Sequence, residues 1–414
     1  NYKPKFDLIQ FKHFKKPKGA YLSDESLAKR ITFEGSPSKR RFKISLDSLN
    51  MQKEFKVLNM FPEFTLDILM KDSKSIPLNQ SVRSSFNLHW DIQFGIGESW
   101  TTDLGNTRSS IPFALVQKNQ NCVHNGVMVF DFDFEGSMSN IVYQIASETC
   151  PYFKFDLIGL LEVNSVTDIE FLEEDHHHNS LKHATTFAPL TSINKLEQKK
   201  NFGSSKEVSP DHLSVYGYYD GKIHYRSSCK TRSGNYPYCG ELLLPSFSLS
   251  KSLVATVSLA LLERDYPNVM NEKIQEFVPE CKQKKWANVQ FKHALNMSTG
   301  HYYDKKWYSE DWYLNDKGFS LNYTHKDRIK FACSVFKKKS DPGLKLSYHS
   351  SDTYILAVAL NNFYKSKTGR DSDVYTDLVL PLWKELNLSQ STHEIRRSID
   401  SIKQPYMEYG MFLT

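Results

Sequence analysis

The sequence predicts an α+β protein of two domains: an all-β, sandwich-like N-terminal domain, followed by one in which helices lie on an antiparallel sheet. Three observations carry this expectation. Residues 30 to 170 break into short segments that alternate apolar with polar residues. Residues 191 to 210 then turn polar, and beyond them a hairpin pattern is followed by strongly apolar helical segments. A chain of 414 residues suits two domains, each with its own core.

In the first half, Arg41 to Leu46, Asn87 to Phe94, Gly126 to Phe134 and Ser139 to Ile145 read as strands, with Asn125-Gly126 as a turn between two of them. From Phe130 to Glu135 phenylalanine alternates with acid, so a period of 2 predicts three rings on the core face and three carboxylates in water. The polar stretch, with Lys199-Lys200 and Gly203-Ser204-Ser205, sets the domain limits at 1–195 and 205–414. Just upstream, Glu173, Glu174, Asp175, His176, His177, His178 and His183 form the densest group of ligand-type residues. Adjacent loop side chains seldom converge on one ion, so a solvated segment is expected there.

Beyond the boundary, Val215 to Tyr219 and Lys222 to Arg226 flank Asp220-Gly221, the pattern of a hairpin with a type I′ turn. Apolar helices are predicted from Leu249 to Glu263, stopped by Pro267, and from Thr353 to Tyr364. The longest mainly apolar run, Leu253 to Leu262, has ten residues, about half of what a membrane-crossing helix needs. Residues 1 to 60 hold 14 Lys and Arg against 6 Asp and Glu, enough to account for the whole net charge of +6. That basic stretch reads as a solvated face, and no nucleic-acid partner is expected.

Six cysteines, at 122, 150, 229, 239, 281 and 333, show no metal-ligand spacing. An even count in a chain beginning at Asn1 fits an exported protein, periplasmic or extracellular, whose signal peptide has been removed. Proximity suggests a Cys229–Cys239 disulfide.

The chemistry centres on Pro245-Ser246-Phe247-Ser248-Leu249-Ser250-Lys251. On a helical turn, Ser248 and Lys251 share one face, within reach of a common proton. A serine hydroxyl needs a neighbour to take that proton, and a sheltered lysine at the head of an apolar helix can do so. The start of the helix also offers backbone N–H groups to an oxyanion. About a hundred residues later, Tyr348-His349-Ser350 precedes the second apolar helix and supplies a phenol and a hydroxyl for proton transfer.

These motifs resemble those of the serine β-lactamase and penicillin-binding-protein superfamily, in its esterase and 6-aminohexanoate-dimer hydrolase branch. The resemblance runs from about Tyr216 to Thr414. Its landmarks are Tyr218-Tyr219-Asp220-Gly221-Lys222-Ile223, Ser248-Leu249-Ser250-Lys251, the segment from Val289 to Gly300, and Tyr348-His349-Ser350. It implies a β-lactamase-like fold in which Ser248 is acylated, Lys251 is its base, Tyr348 assists proton transfer and Ser350 anchors the network. The Ser248 amide would supply half of the oxyanion hole. No metal or organic cofactor is implied.

One landmark is missing. The family's Lys- or His-containing triplet before a Gly should follow well after Tyr348. Lys367-Thr368-Gly369 has the letters but falls where the second helix should stop. Tyr409 to Thr414 resembles the segment that precedes the absent strand, so a second chain or a further C-terminal segment is expected to complete the site. An aromatic group, Tyr302, Tyr303, Trp307, Tyr308, Trp312 and Tyr313, is placed either over the substrate or in the core. The reading is a serine hydrolase cleaving a small-molecule ester or amide. The absence of a Ser-Asp-Asn triplet leans towards carboxylesterase or linear-amide hydrolase activity. The competing readings are a non-catalytic ligand-binding or sensor protein with the same fold, and an adhesin carried by residues 1 to 190.

Overall fold

The computed structural model describes residues 7–414 except 23–25, 37–39, 48–49, 51, 54–55, 119–121, 149–153, 171–190, 193–214, 220, 304–305, 307, 312–313 and 315–317. The expected boundary at 195–205 and the Glu/His-rich run lie outside the described residues. By its contacts the chain forms two compact units, one built from Asn1–Lys118 and Cys122–Leu244, the other from Pro245–Leu413.

The first unit is β-rich. Its strands are β1 (Ser26–Phe33), β2 (Arg40–Asp47), β3 (Phe64–Lys71), β4 (Lys74–Pro77), β5 (Trp90–Phe94), β6 (Gly97–Thr101), β7 (Thr107–Gln117), β8 (Val123–Phe132), β9 (Ile141–Glu148), β10 (Phe155–Leu161) and β11 (Ser165–Asp168). All pair antiparallel in one hydrogen-bonded sheet, ordered β11-β1-β3-β4-β6-β7-β8-β9-β10-β2, with β5 also on β7. Alternation along β8 assigns residues to the two faces. Met128, Phe130 and Phe132 join a core with Trp90, Phe113 and Tyr143, while Val127 and Val129 pack with Phe11, Phe14, Tyr236 and Leu242.

Two local expectations are corrected. Asn125-Gly126 is not a turn but a bulge inside β8, where the register to β9 shifts. A Cβ on Gly126 would lie 2.5 Å from the Gln144 carbonyl oxygen and 2.6 Å from the Phe113 ring, so glycine is there for close packing. The phenylalanine–acid alternation also ends early. Phe130 and Phe132 are buried and Asp131 pairs with Arg108 at 2.6 Å, but Phe134 is 91% exposed, in a turn where Asp133 accepts from the amides of Glu135 and Ser137. Among the described residues, no group of His, Cys, Asp and Glu is arranged to hold a metal ion.

The hairpin expected around Asp220-Gly221 is present as Gly217–Tyr219 paired with His224–Arg226, Gly221 taking φ +94°. Cys229 is joined to Cys239 as expected, and Cys122 is also disulfide-bonded.

Helices predominate in the second unit. A π-helical turn, Lys251–Thr256, runs into α1 (Val257–Asp265). The helices α2 (Ile274–Phe277), α3 (Phe291–Leu295), α4 (His325–Ser334), α5 (Ser350–Thr368) and α6 (Leu380–Glu385) follow, and a short strand, Phe412–Leu413, closes the unit. Expected as a regular helix from Leu249, the first helix instead opens with this wider turn, a feature that recurs at functional sites. The α5 helix is apolar on every side from Tyr354 to Leu360 and forms the middle of the core. It ends at Gly369, φ +121°, which confirms Lys367-Thr368-Gly369 as a helix stop. Cys281 and Cys333 form a disulfide across 52 residues. No described helix is long and apolar enough to cross a membrane.

Candidate active site

The segment carrying Ser248 is held by the C-terminal residues of its own unit. The Ser246 amide donates to the Met411 carbonyl at 2.9 Å, and its hydroxyl reaches the Tyr409 carbonyl at 3.3 Å. Phe247 then adopts φ +45°, a left-handed conformation that is costly for a residue with a Cβ, on the order of 1 kcal/mol or more. This bend lifts Ser248 into the open, and Ser248 is exposed. The amides of Leu249, Ser250 and Lys251 bond back to the carbonyls of Ser246, Phe247 and Ser248; the Ser248 amide is not among them.

Lys251 leads the π-helical turn and is only 7% exposed. A buried ammonium or amine must find partners. Its Nζ lies 2.9 Å from Ser248 Oγ, 3.0 Å from the Glu408 carbonyl oxygen and 3.2 Å from Ser350 Oγ. The Tyr348 ring adds a π-face 5.2 Å from the same nitrogen. The structure therefore brings together all four residues singled out by the sequence. Tyr348 meets the amine through its ring, and among the described residues no hydrogen bond from its hydroxyl is seen.

Three supporting groups were not legible in the motifs. Asp311 accepts from the Ser350 amide at 2.8 Å and from the Ser350 hydroxyl at 3.2 Å, so the lone pairs of that hydroxyl are left to face Lys251. Glu408 supplies its carbonyl to Lys251 while its side chain is fully buried against Arg328, Oε1 to nitrogen 2.9 Å. The Arg328 guanidinium is also fully buried among Phe319, Tyr354, Tyr406 and Tyr409, and donates to the Tyr409 hydroxyl at 2.7 Å. Burial pushes the Glu408 carboxyl up, and Arg328 acts against that rise. Gly300 holds the neighbouring turn: at φ +80° its carbonyl accepts from Lys339 and Ser340, and a Cβ would strike the Ser340 oxygen at 2.3 Å. Of the aromatic group, Tyr303 and Tyr308 are exposed, and Trp307, Trp312 and Tyr313 lie outside the described residues.

Residues 212–370 match the family model Beta-lactamase. Ser248, Lys251, Tyr348 and Ser350 all fall within the matched region. Among solved structures, the chain is similar to a protein assigned as a 6-aminohexanoate-dimer hydrolase from Bacillus anthracis, at 16% identity and a TM-score of 0.38. The match covers 55% of this chain and 60% of that one, so the chain spans three fifths of the length of that structure. No curated protein matches the chain.

Proposed function

We propose that the second unit is a β-lactamase-like serine hydrolase that cleaves an ester or amide through an acyl-enzyme on Ser248, with Lys251 as the base. The observation that carries this reading is the environment of the Lys251 amine. A neutral amine has two N–H bonds and one lone pair. An amine that gives its N–H bonds to Ser350 Oγ and the Glu408 carbonyl, at 3.2 and 3.0 Å, has its lone pair left for the Ser248 hydroxyl 2.9 Å away.

In acylation, Ser248 Oγ bonds to the substrate carbonyl carbon as its proton passes to Lys251 Nζ. The carbonyl π-electrons move to oxygen, and the oxyanion is met by the Ser248 amide. Collapse expels the alcohol or amine, which takes the proton from Lys251, with Tyr348 assisting that transfer. Deacylation repeats the sequence with water as nucleophile, regenerating the serine hydroxyl and releasing the acid. Ser350 holds the base in place throughout. The substrate class favoured is a carboxylic ester or linear amide, and the disulfides favour an oxidising, exported location.

A fluorophosphonate probe tests the proposal, because it phosphonylates only an activated serine. Full-length protein should be labelled, Ser248→Ala should take no label, and Lys251→Ala should label at least a hundredfold more slowly. An unlabelled wild-type protein with a native fold removes the hydrolase reading.

A further inference from the structure

The residue between Tyr348 and Ser350 has an environment that the motif does not explain. His349 is fully buried, its ring stacked on Phe336 with centroids 4.0 Å apart and planes 11° from parallel. Its Nε2 lies 2.6 Å from Glu310 Oε2, and its Nδ1 lies 3.4 Å from Asp352 Oδ2 in the first turn of α5. Each carboxylate is itself fixed. The Tyr303 amide donates to Glu310 Oε1 at 2.7 Å, and the Thr299 hydroxyl donates to Asp352 Oδ2 at 3.1 Å.

Two buried carboxylates flank one imidazole: Nε2 is hydrogen-bonded to Glu310, while Nδ1 faces Asp352 at ion-pair distance without a hydrogen bond, and a proton on each ring nitrogen answers both charges. Adjacent residues then make adjacent grips: Glu310 holds His349 while Asp311 holds the amide and hydroxyl of Ser350. These contacts fix the backbone from which Tyr348 and Ser350 reach Lys251.

We infer that His349, held as an imidazolium between Glu310 and Asp352, is a positioning residue that sets Tyr348 and Ser350 against the Lys251 amine. This rests on the hydrolase reading only for its effect on rate; the positioning itself can be read separately.

The surrounding charges support this. Burial acts to lower the His349 pKa, but Asp352 and then Glu310 outweigh it and raise the imidazole to about 9. Two further titratable groups act on Asp352 or this ring: His301, which burial holds low and which the His349 charge lowers further, and Lys285, which burial also lowers and which is coupled to Asp352. Above pH about 9 the imidazole loses a proton, one carboxylate loses its partner, and the grip on residues 348–350 loosens.

The test uses the full chain, with Glu310→Gln removing charge at constant shape and His349→Gln removing the imidazole. Amide hydrogen exchange at residues 348–350 and the pH profile of fluorophosphonate labelling at Ser248 are measured for each. For the wild type, labelling should decline above pH about 9 as exchange quickens. Glu310→Gln should move both changes by at least one pH unit towards neutrality, and His349→Gln should abolish the pH step and speed exchange about tenfold. Exchange and labelling profiles that are the same in all three proteins overturn the proposal. So does exchange that quickens while labelling keeps its wild-type profile. If wild-type Ser248 takes no probe at any pH, the hydrolase reading falls; the exchange arm still decides the positioning, quickened exchange upholding it and unchanged exchange overturning it.

Discussion

Removing the Arg328 guanidinium should be among the most damaging single changes in the second unit. In Arg328→Met a flexible apolar chain keeps much of the packing against Phe319 and Tyr406, whose ring centroids each lie 4.3 Å from the guanidinium carbon, but the charge is gone. Glu408, with no exposed surface, is then a buried carboxyl without its cation, and the Tyr409 hydroxyl loses a donor at 2.7 Å. Breaking a buried ion pair from one side costs about 3–5 kcal/mol. For a unit of this size each kcal/mol lowers the melting temperature by roughly 2–4 °C, so a fall of about 12 °C is expected.

The loss should depend on pH, with a sign fixed by the buried acid. Burial already raises the Glu408 pKa, and Arg328 opposes that rise; without Arg328 the folded-state value climbs further above the unfolded one. A raised carboxyl contributes its stability below the unfolded value and loses it as pH rises, so the gap between wild type and Arg328→Met should widen as pH rises above the ordinary carboxyl range. Urea unfolding of the single variants and of Arg328→Met/Glu408→Leu closes the cycle. The double variant should recover at least about 2 kcal/mol, because apolar replacement of both partners removes the stranded charge. A single variant that loses under about 1 kcal/mol, or a double variant that is simply additive, would refute the reasoning.

Other changes have equally definite outcomes. Replacing Cys281 and Cys333 by Ala opens a 52-residue loop and should cost about 4 kcal/mol by chain entropy, read as a lower urea midpoint that matches the reduced wild-type protein. Gly126→Ala forces a methyl against the Gln144 carbonyl and the Phe113 ring and should cost about 2 kcal/mol; wild-type melting of this variant would show that the bulge has room. With a folded-state value of about 9 against about 6.5 unfolded, His349 contributes stability that is complete below pH 6.5 and is lost as pH rises through 9, worth roughly 3 kcal/mol. Wild-type stability should fall over that interval, and His349→Gln should show a flatter pH dependence.

What the sequence disclosed was local or chemically marked. Ser248 and Lys251 sit one turn apart, so their meeting follows from helix geometry, and Cys229 pairs with Cys239 across ten residues. The hairpin around Gly221 forms, with Gly221 at φ +94° in open space, although Tyr219 pairs with His224 and so leaves a four-residue connection in place of the expected two-residue type I′ turn; Asn125-Gly126 is instead drawn into a strand, where the Phe113 ring needs the glycine's empty face. The supporting shell left no such trace. Asp311, Arg328 and Glu408 lie 60 to 160 residues from Lys251, and nothing in their neighbours separates them from solvated charges until the chain has folded. Periodicity also failed at Phe134, because the strand ends two residues earlier and a tight turn follows.

The reliance of Lys251 on the carbonyl of Glu408 has a bearing on how this chain matures. The amine and its serine leave the ribosome some 157 residues ahead of the group that steadies them. A growing polypeptide therefore carries both side chains before the carbonyl that fixes the Lys251 amine has been made, and their observed alignment is complete only when the far end of the domain is in place.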